Sequence, residues 1–342
     1  MRIALVATNN TFGGGEQYLC ALGSGLKDLG NCEIGMFATN ATVLLKPQER
    51  CDFCEPVQIA STRLLDTYDL VHVNCSVPSA RMCSHLRAPS VATFHVAPQG
   101  WRRIRARLLA NTFASYKQIV CIGPDALVQW QSLARFPGVV VPLGIMPVRC
   151  QEGAVQDGVI VCPARLANRQ KGQDLLLRSI TLLRTVYRKQ LRVRLLGDGP
   201  SRGALVALAR RLDIADLVEF CGYQRDALRE ICVAHVMALP SRYEGVPAVC
   251  MEARAMGVPV VCADLPGTRE ALGDWPGASY VRHGRAFVQR FSKELLRALS
   301  MDRTLIRCSP VRSHVEMAHG MYDVYCRVLR GRVVQGGGLP SV

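Results

Sequence analysis

The sequence predicts an α/β protein built as two doubly wound halves, and three observations carry that reading. Short apolar runs alternate with longer amphipathic ones along most of the chain, the spacing of parallel sheets covered on both faces by helices. The alternation occurs twice, on either side of an aperiodic stretch with prolines and glycines, Leu143 to Asp157. The length, 342 residues, matches two domains of about 150 residues each.

In the first half, Arg2–Ala7 reads as a buried strand, 9–15 as a glycine-rich loop and Glu16–Leu29 as a helix. Strands follow at Glu33–Ala38, Leu70–Asn74, Ser90–Phe94, Gln118–Ile122 and Val139–Val141, with helices around Trp101–Ser115 and Asp125–Ala134. In the second half, strands are expected at Val159–Cys162, Leu191–Leu196, Val218–Cys221, His235–Leu239 and Val258–Cys262. Helices between them fall at Gly172–Tyr187, Ser201–Leu212, Asp226–Cys232 and Ala248–Met256. A poorly patterned stretch precedes a last helix, Ser313–Leu329, and a Gly336-Gly337-Gly338 tail closes the chain. The expected domains are 1–148 and 155–312, with the helix at 313–330 packing back on the first. Ligands of such sheets sit beyond the carboxyl ends of the strands, so the cleft between the halves is the expected site.

Composition narrows the class. With 49% hydrophobic and 20% charged residues, disorder and coiled coil are excluded. No apolar run approaches 18 residues, which excludes a spanning helix. The N-terminal run is too short for a signal peptide, so a cytoplasmic chain is expected. Its 15 cysteines are scattered rather than framed, which predicts free, mostly buried thiols. Cys51-Asp-Phe-Cys54 has no second pair and no nearby histidine cluster, so no metal site is expected. The formal net charge of +15 points to nucleic acid, an anionic membrane or phosphorylated substrates. Nucleic acid is disfavoured, because interleaved aromatics and a recognisable module are lacking.

Four segments carry candidate chemistry. Thr11-Phe-Gly13-Gly14-Gly15-Glu16 joins a strand to a helix, where backbone N–H groups can meet an anion; a plain tight turn is the alternative. Gly197-Asp198-Gly199 with Gly203 lacks the spacing and strand position of a dinucleotide fingerprint. Arg165 and Lys171, with Gly172 opening a helix, suit a diphosphate, although a solvated basic loop reads the same way. Glu244 stands before Gly245 at a strand end, and Glu252 follows eight residues later in an apolar segment. A buried carboxylate there needs a partner, which ligand hydroxyls could provide; two surface glutamates are the alternative.

Together these residues resemble the retaining nucleotide-sugar glycosyltransferases of glycosyltransferase family 4, also called group 1. Phe12 to Glu16, Thr93-Phe94-His95, Val141-Pro-Leu-Gly144-Ile145, Arg165 with Lys171-Gly172, the Glu244-x7-Glu252 segment and Pro266-Gly267-Thr268-Arg269-Glu270 are similar to family segments in order and spacing. The resemblance implies the GT-B fold, two facing Rossmann-like domains with an interdomain cleft. It implies that Arg165 and Lys171 hold the donor diphosphate and stabilise its departing charge. Glu252 would take the ribose hydroxyls, and Glu244 with the backbone of Gly245 and Val246 would contact the donor sugar. His95 would reach the sugar from the first domain, and Gly14 the phosphate or acceptor. No metal or other cofactor is implied. A front-face displacement assisted by the leaving diphosphate suits a sequence without an obvious nucleophile.

The sequence departs from the family pattern at Leu143, Met146, Gly123 and Trp275-Pro276-Gly277. The basic stretch 101–109 places Trp101, Ile104 and Leu108 on one helical side between arginines. It reads as a membrane-surface helix or an anionic acceptor site, and equally as a core-packed helix with a solvated arginine face. The expected activity is sugar transfer from a nucleotide-diphosphate sugar to a glycan or lipid-linked acceptor in bacterial surface polysaccharide or lipopolysaccharide synthesis. The alternatives are a GT-B nucleotide-sugar epimerase and a non-catalytic sugar-nucleotide or polysaccharide-binding subunit.

Overall fold

The computed structural model describes residues 1–8, 13–39, 58–74, 85–96, 99, 102–108, 113, 115–148, 154–186, 191–224 and 226–331. The expectations placed on 9–12, Cys51, Cys54, Trp101, Leu109 and the glycine tail lie outside them. The chain divides into two compact units, Met1–Pro147 with Arg312–Val342, and Val148–Val311.

Among the described residues, unit 1 has a seven-stranded parallel sheet. Its strands are β1 (Arg2–Ala7), β2 (Glu33–Ala38), β3 (Gln58–Ile59), β4 (Leu70–Asn74), β5 (Ser90–Phe94), β6 (Gln118–Cys121) and β7 (Gly138–Val140), in the order β3-β2-β1-β4-β5-β6-β7. Val71, Val73, Val91 and Ala92 are fully buried, as a sheet covered on both faces requires. Helix α1 (Gly14–Asp28) packs on α2 (His314–Leu329), which returns from beyond unit 2. Ser313 caps α2, accepting from the Glu316 N–H while the Glu316 carboxylate accepts the Ser313 N–H. The start of the expected linker belongs to unit 1: Leu143 and Ile145 are buried, and Ile145 bridges to Ser313.

Unit 2 has a six-stranded parallel sheet among the described residues, in the order β10-β9-β8-β11-β12-β13. These strands are β8 (Gln156–Pro163), β9 (Arg192–Leu196), β10 (Val218–Gly222), β11 (Ala234–Leu239), β12 (Val260–Ala263) and β13 (Ala278–Val281). Strand order reverses between β1 and β4 in one sheet and between β8 and β11 in the other, so both are doubly wound.

The stretch that showed little pattern in sequence is ordered. It supplies β13 and a helix, Phe287–Leu299, whose Phe287, Phe291, Leu295 and Ala298 fall on one buried face. The signal was present at spacings of three and four residues, interrupted by the charged residues of the opposite face. Among the described residues the cysteine expectation changes at one position. Cys232 is disulfide-bonded, because folding rather than spacing along the chain decides which thiols meet. Cys121, Cys162, Cys250 and Cys262 are free and buried. No helix among the described residues is long and apolar enough to cross a membrane.

Candidate functional site

In unit 2 the site residues gather where strand order reverses. The loop after β8 carries Arg165 and Lys171, and the loop after the neighbouring β11 carries Glu244, Gly245 and Val246. Lys171 ends a single helical turn, Asn168–Lys171, and Gly172 caps it in the left-handed conformation at φ 65°. A side chain at Gly172 would also place its Cβ 2.2 Å from the Pro240 carbonyl oxygen, so only glycine lets the two loops touch.

That contact brings Lys171 to Glu244. Lys171 Nζ donates to both carboxylate oxygens, at 2.7 and 2.9 Å, and Ser241 Oγ donates to Glu244 Oε1 at 2.6 Å. The Glu244 side chain is only 6% exposed, so its charge is held by this cation and hydroxyl rather than by water. Arg165 lies exposed at the mouth of the same loop. Its carbonyl accepts from Gln173 Nε2 at 2.8 Å, and the next residue, Leu166, is bonded to the loop after β9 through Asp198 and Ser201. The Gly197–Gly199 turn therefore braces the Arg165 loop.

Glu252 stands at the start of the second turn of the helix Ala248–Ala255, half-buried and directly after the buried Cys250 and Met251. The backbone before this helix is fixed from the side. A Cβ on Gly267 would fall 1.4 Å from the Gly245 carbonyl oxygen, so glycine alone admits this approach. Beneath the pair lie thiols that burial drives upward in pKa, Cys162 to about 12 and Cys250 well above its ordinary value. They are neutral fillers of the apolar floor.

Unit 1 holds the other candidates. His95 follows the carboxyl end of β5, edge-on to the Tyr18 ring at 4.8 Å between centroids. Its Nε2 is sealed from solvent with no partner among the described residues, and burial pulls its pKa down to about 4, so the ring is neutral near pH 7. Tyr18 donates to or accepts from Thr93 Oγ1 at 3.1 Å, Thr93 bonds His72 Nε2 at 2.7 Å, and His72 Nδ1 bonds the Tyr325 hydroxyl from α2. Burial, with the neighbouring His95, brings His72 down to about 3. Gly14 is the first residue of α1, exposed and with open space where a Cβ would be; Gly13 before it donates its N–H to Glu16 Oε2 at 2.9 Å.

Sequence reading passed over several members of these constellations. Ser241, Arg242, Asp174, His72 and Tyr325 meet across 3 to 253 positions in the chain, and spacing carries no signal for such pairs. Ser241 alone sits near enough to Glu244 to be found by inspection. On the helix Arg102–Leu108, Ile104 and Leu108 are 65% and 79% exposed, so the core-packed reading of that face is wrong; Ala106 is the side chain that turns inward.

Comparison with known proteins agrees with this architecture. The sequence family described as glycosyl transferases group 1 matches residues 157–300. The N-acetylgalactosamine-N,N'-diacetylbacillosaminyl-diphospho-undecaprenol 4-alpha-N-acetylgalactosaminyltransferase of Campylobacter jejuni is 30% identical over 122 residues, covering 35% of this chain and 32% of that protein. The putative glycosyltransferase EpsD of Bacillus subtilis is 29% identical over 196 residues, covering 54% of this chain and 51% of that protein. The matches thus span about a third of one of these curated relatives and about half of the other. Among solved structures, Anabaena HepE in complex with UDP and glucose superposes with a TM-score of 0.76 at 17% identity, covering 95% of this chain and 99% of HepE. Residues 157–300 are thus similar to the group 1 glycosyl transferases, and the two doubly wound units are those of the GT-B fold.

Proposed function

We propose that this chain transfers a sugar, with retention, from a nucleoside-diphosphate sugar to a hydroxyl of a glycan or lipid-linked acceptor. The observation that carries the reading is the Lys171–Glu244 pair, with Arg165 on the same loop as Lys171, at the strand-order reversal of a unit matched by group 1 glycosyl transferases. A cation already held in place by a carboxylate needs little reorganisation when charge grows on a departing diphosphate. HepE, of the same fold, was solved with UDP and glucose, which makes a uridine donor the first to test.

In this reading Arg165 and Lys171 grip the diphosphate, Glu252 takes the ribose hydroxyls, and Glu244 with Gly245 and Val246 faces the sugar. The bond between the anomeric carbon and the phosphate oxygen breaks on the face where the acceptor oxygen bonds. The acceptor proton passes to the departing phosphate oxygen, so no enzyme nucleophile and no metal is required. Neutral His95, with its unpartnered Nε2, serves as a hydrogen-bonding group for a sugar hydroxyl, and Gly14 leaves room for phosphate or acceptor. The Campylobacter relative's name, with its diphospho-undecaprenol acceptor, supports a lipid-linked acceptor in bacterial glycan synthesis.

The experiment is a thermal-shift screen against uridine, guanosine and cytidine diphosphate sugars, followed by Lys171→Ala. A ligand at 100 times its Kd adds about 2.7 kcal/mol. Stabilisation by one donor that Lys171→Ala removes supports the reading; no stabilisation by any of the three overturns it. Release of nucleoside diphosphate only when acceptor is added separates a transferase from an epimerase or a binding subunit.

We further infer peripheral contact with an anionic membrane at the cytoplasmic face. Exposed Ile104 and Leu108 one turn apart, beside exposed Arg103 and Arg107, form an apolar stripe with basic neighbours. Ile104→Ser with Leu108→Ser should release the protein from phosphatidylglycerol vesicles. Equal binding of wild type to phosphatidylglycerol and phosphatidylcholine vesicles removes the inference.

A further inference from the structure

Two loops carry the charged centre of unit 2, and the Lys171–Glu244 contact is not all that spaces them. A diphosphate that engages Lys171 competes with Glu244 for the three N–H donors of one ammonium. The spacing is set alongside. Arg242, two residues before Glu244, donates from Nη1 and Nη2 to the two carboxylate oxygens of Asp174, three residues after Lys171, at 2.9 and 2.8 Å. The same Nη1 donates to the Asn168 carbonyl at 2.8 Å, and the Arg242 backbone N–H donates to the Gln170 carbonyl at 2.7 Å. Asp174 is oriented in turn, because its backbone N–H donates to Asn168 Oδ1 at 2.8 Å.

Arg242 thus grips the loop on both sides of Lys171. With its side chain 36% exposed, the pair adds little net stability, and its worth lies in geometry. A planar guanidinium can hold a carboxylate by two parallel bonds and a carbonyl by a third N–H, which a lysine ammonium cannot do in one fixed orientation.

We propose that Arg242 is a positioning residue: its fork to Asp174 holds the Lys171 loop in register with the Glu244 loop while a donor diphosphate occupies Lys171. The proposal rests on the donor reading above. It needs Lys171 to act on the ligand, since Arg242 acts only through where Lys171 is held.

The test is calorimetric titration of the full chain with UDP, GDP and CDP, continued with whichever binds. Arg242→Ala should weaken binding by roughly tenfold, the scale of one misplaced charge-assisted hydrogen bond. Arg242→Lys should keep most of that loss, and the exchange Arg242→Asp with Asp174→Arg should recover part of it. In a Lys171→Ala background, Arg242→Ala should add less than about twofold, because coupled residues are not additive. An equal loss in both backgrounds, full recovery by Arg242→Lys, or unchanged binding by Arg242→Ala overturns the proposal. If Arg242→Ala does not fold, as read by circular dichroism, Arg242→Gln replaces it in the same cycle. Absence of binding by wild type to all three diphosphates overturns the donor reading, and this proposal with it.

Discussion

The carboxyl edges of the two sheets are furnished in opposite ways. In unit 2 the edge is charged and internally paired: Lys171 with Glu244, Arg242 with Asp174 and Arg269 with Asp264. Among the described residues, the unit 1 edge carries the Glu16 carboxylate together with neutral groups that are incompletely paired. His95 Nε2 and Asn74 Nδ2 are buried without partners, and the histidines are held uncharged. Ion pairs that a stronger anion can enter suit a diphosphate, whereas orphaned neutral groups suit hydroxyls, each of which both donates and accepts. One topology thus supplies two chemistries, and side chains at strand ends decide which.

The largest effect expected from breaking this contrast lies in unit 2. Gly267→Ala forces a methyl into the Gly245 carbonyl, and overpacking of this severity should cost about 3 kcal/mol or more. Urea unfolding followed by Trp275 fluorescence measures it. An unchanged midpoint would mean that the Gly245 backbone is free to retreat. Next, Glu252→Gln should raise the donor KM with little change in kcat, because ribose is held alike in ground and transition states. The loss of one charge-assisted bond is worth roughly 1.5–3 kcal/mol, on the order of ten- to a hundredfold. A fall in kcat instead would put Glu252 in the chemistry rather than the grip.

The unit 1 side of the comparison predicts smaller effects. Tyr325→Phe leaves buried His72 Nδ1 without its partner and should cost about 1–3 kcal/mol. Amide exchange along β4 should report it, with the unit 2 strands unaffected. Acid is the gentlest probe. His72 and His95 sit at about 3 and about 4, below the ordinary 6.5. Their contribution is therefore complete above pH 6.5 and is lost as pH falls, when the unfolded chain takes up protons that the native state refuses. The slope is at most about 1.4 kcal/mol per pH unit for each histidine. His95→Asn should flatten the slope between pH 6.5 and 4; an unaltered slope would mean that His95 is charged in the native state.

How much of this was legible in sequence follows from what each residue does. Strands such as Arg2–Ala7 and Ser90–Phe94 were visible to the residue, since burial on both faces demands unbroken apolar runs. Phe287–Leu299 was missed because charged residues crowd its outer face, although its inner face repeats at helical spacing. At the site, Lys171 and Glu244 could be named separately, but their pairing across 73 positions depends on β8 and β11 being neighbours, a property of sheet order. The Tyr325–His72 bond lay further out of reach, because nothing local to either residue announces a partner 253 positions away.

That last bond also bears on how the protein is made. Unit 1 is completed by α2, yet all of unit 2 is encoded before it. On a ribosome adding roughly 5–20 residues each second, His72 and the inner face of α1 wait on the order of tens of seconds for Tyr325 and its helix. Unit 2 draws its sheet from a continuous stretch and can close during that interval. The nascent chain therefore passes through a stage in which most of unit 1 has been made and still shows the apolar surface that α2 covers. That stage is where a chaperone would find it.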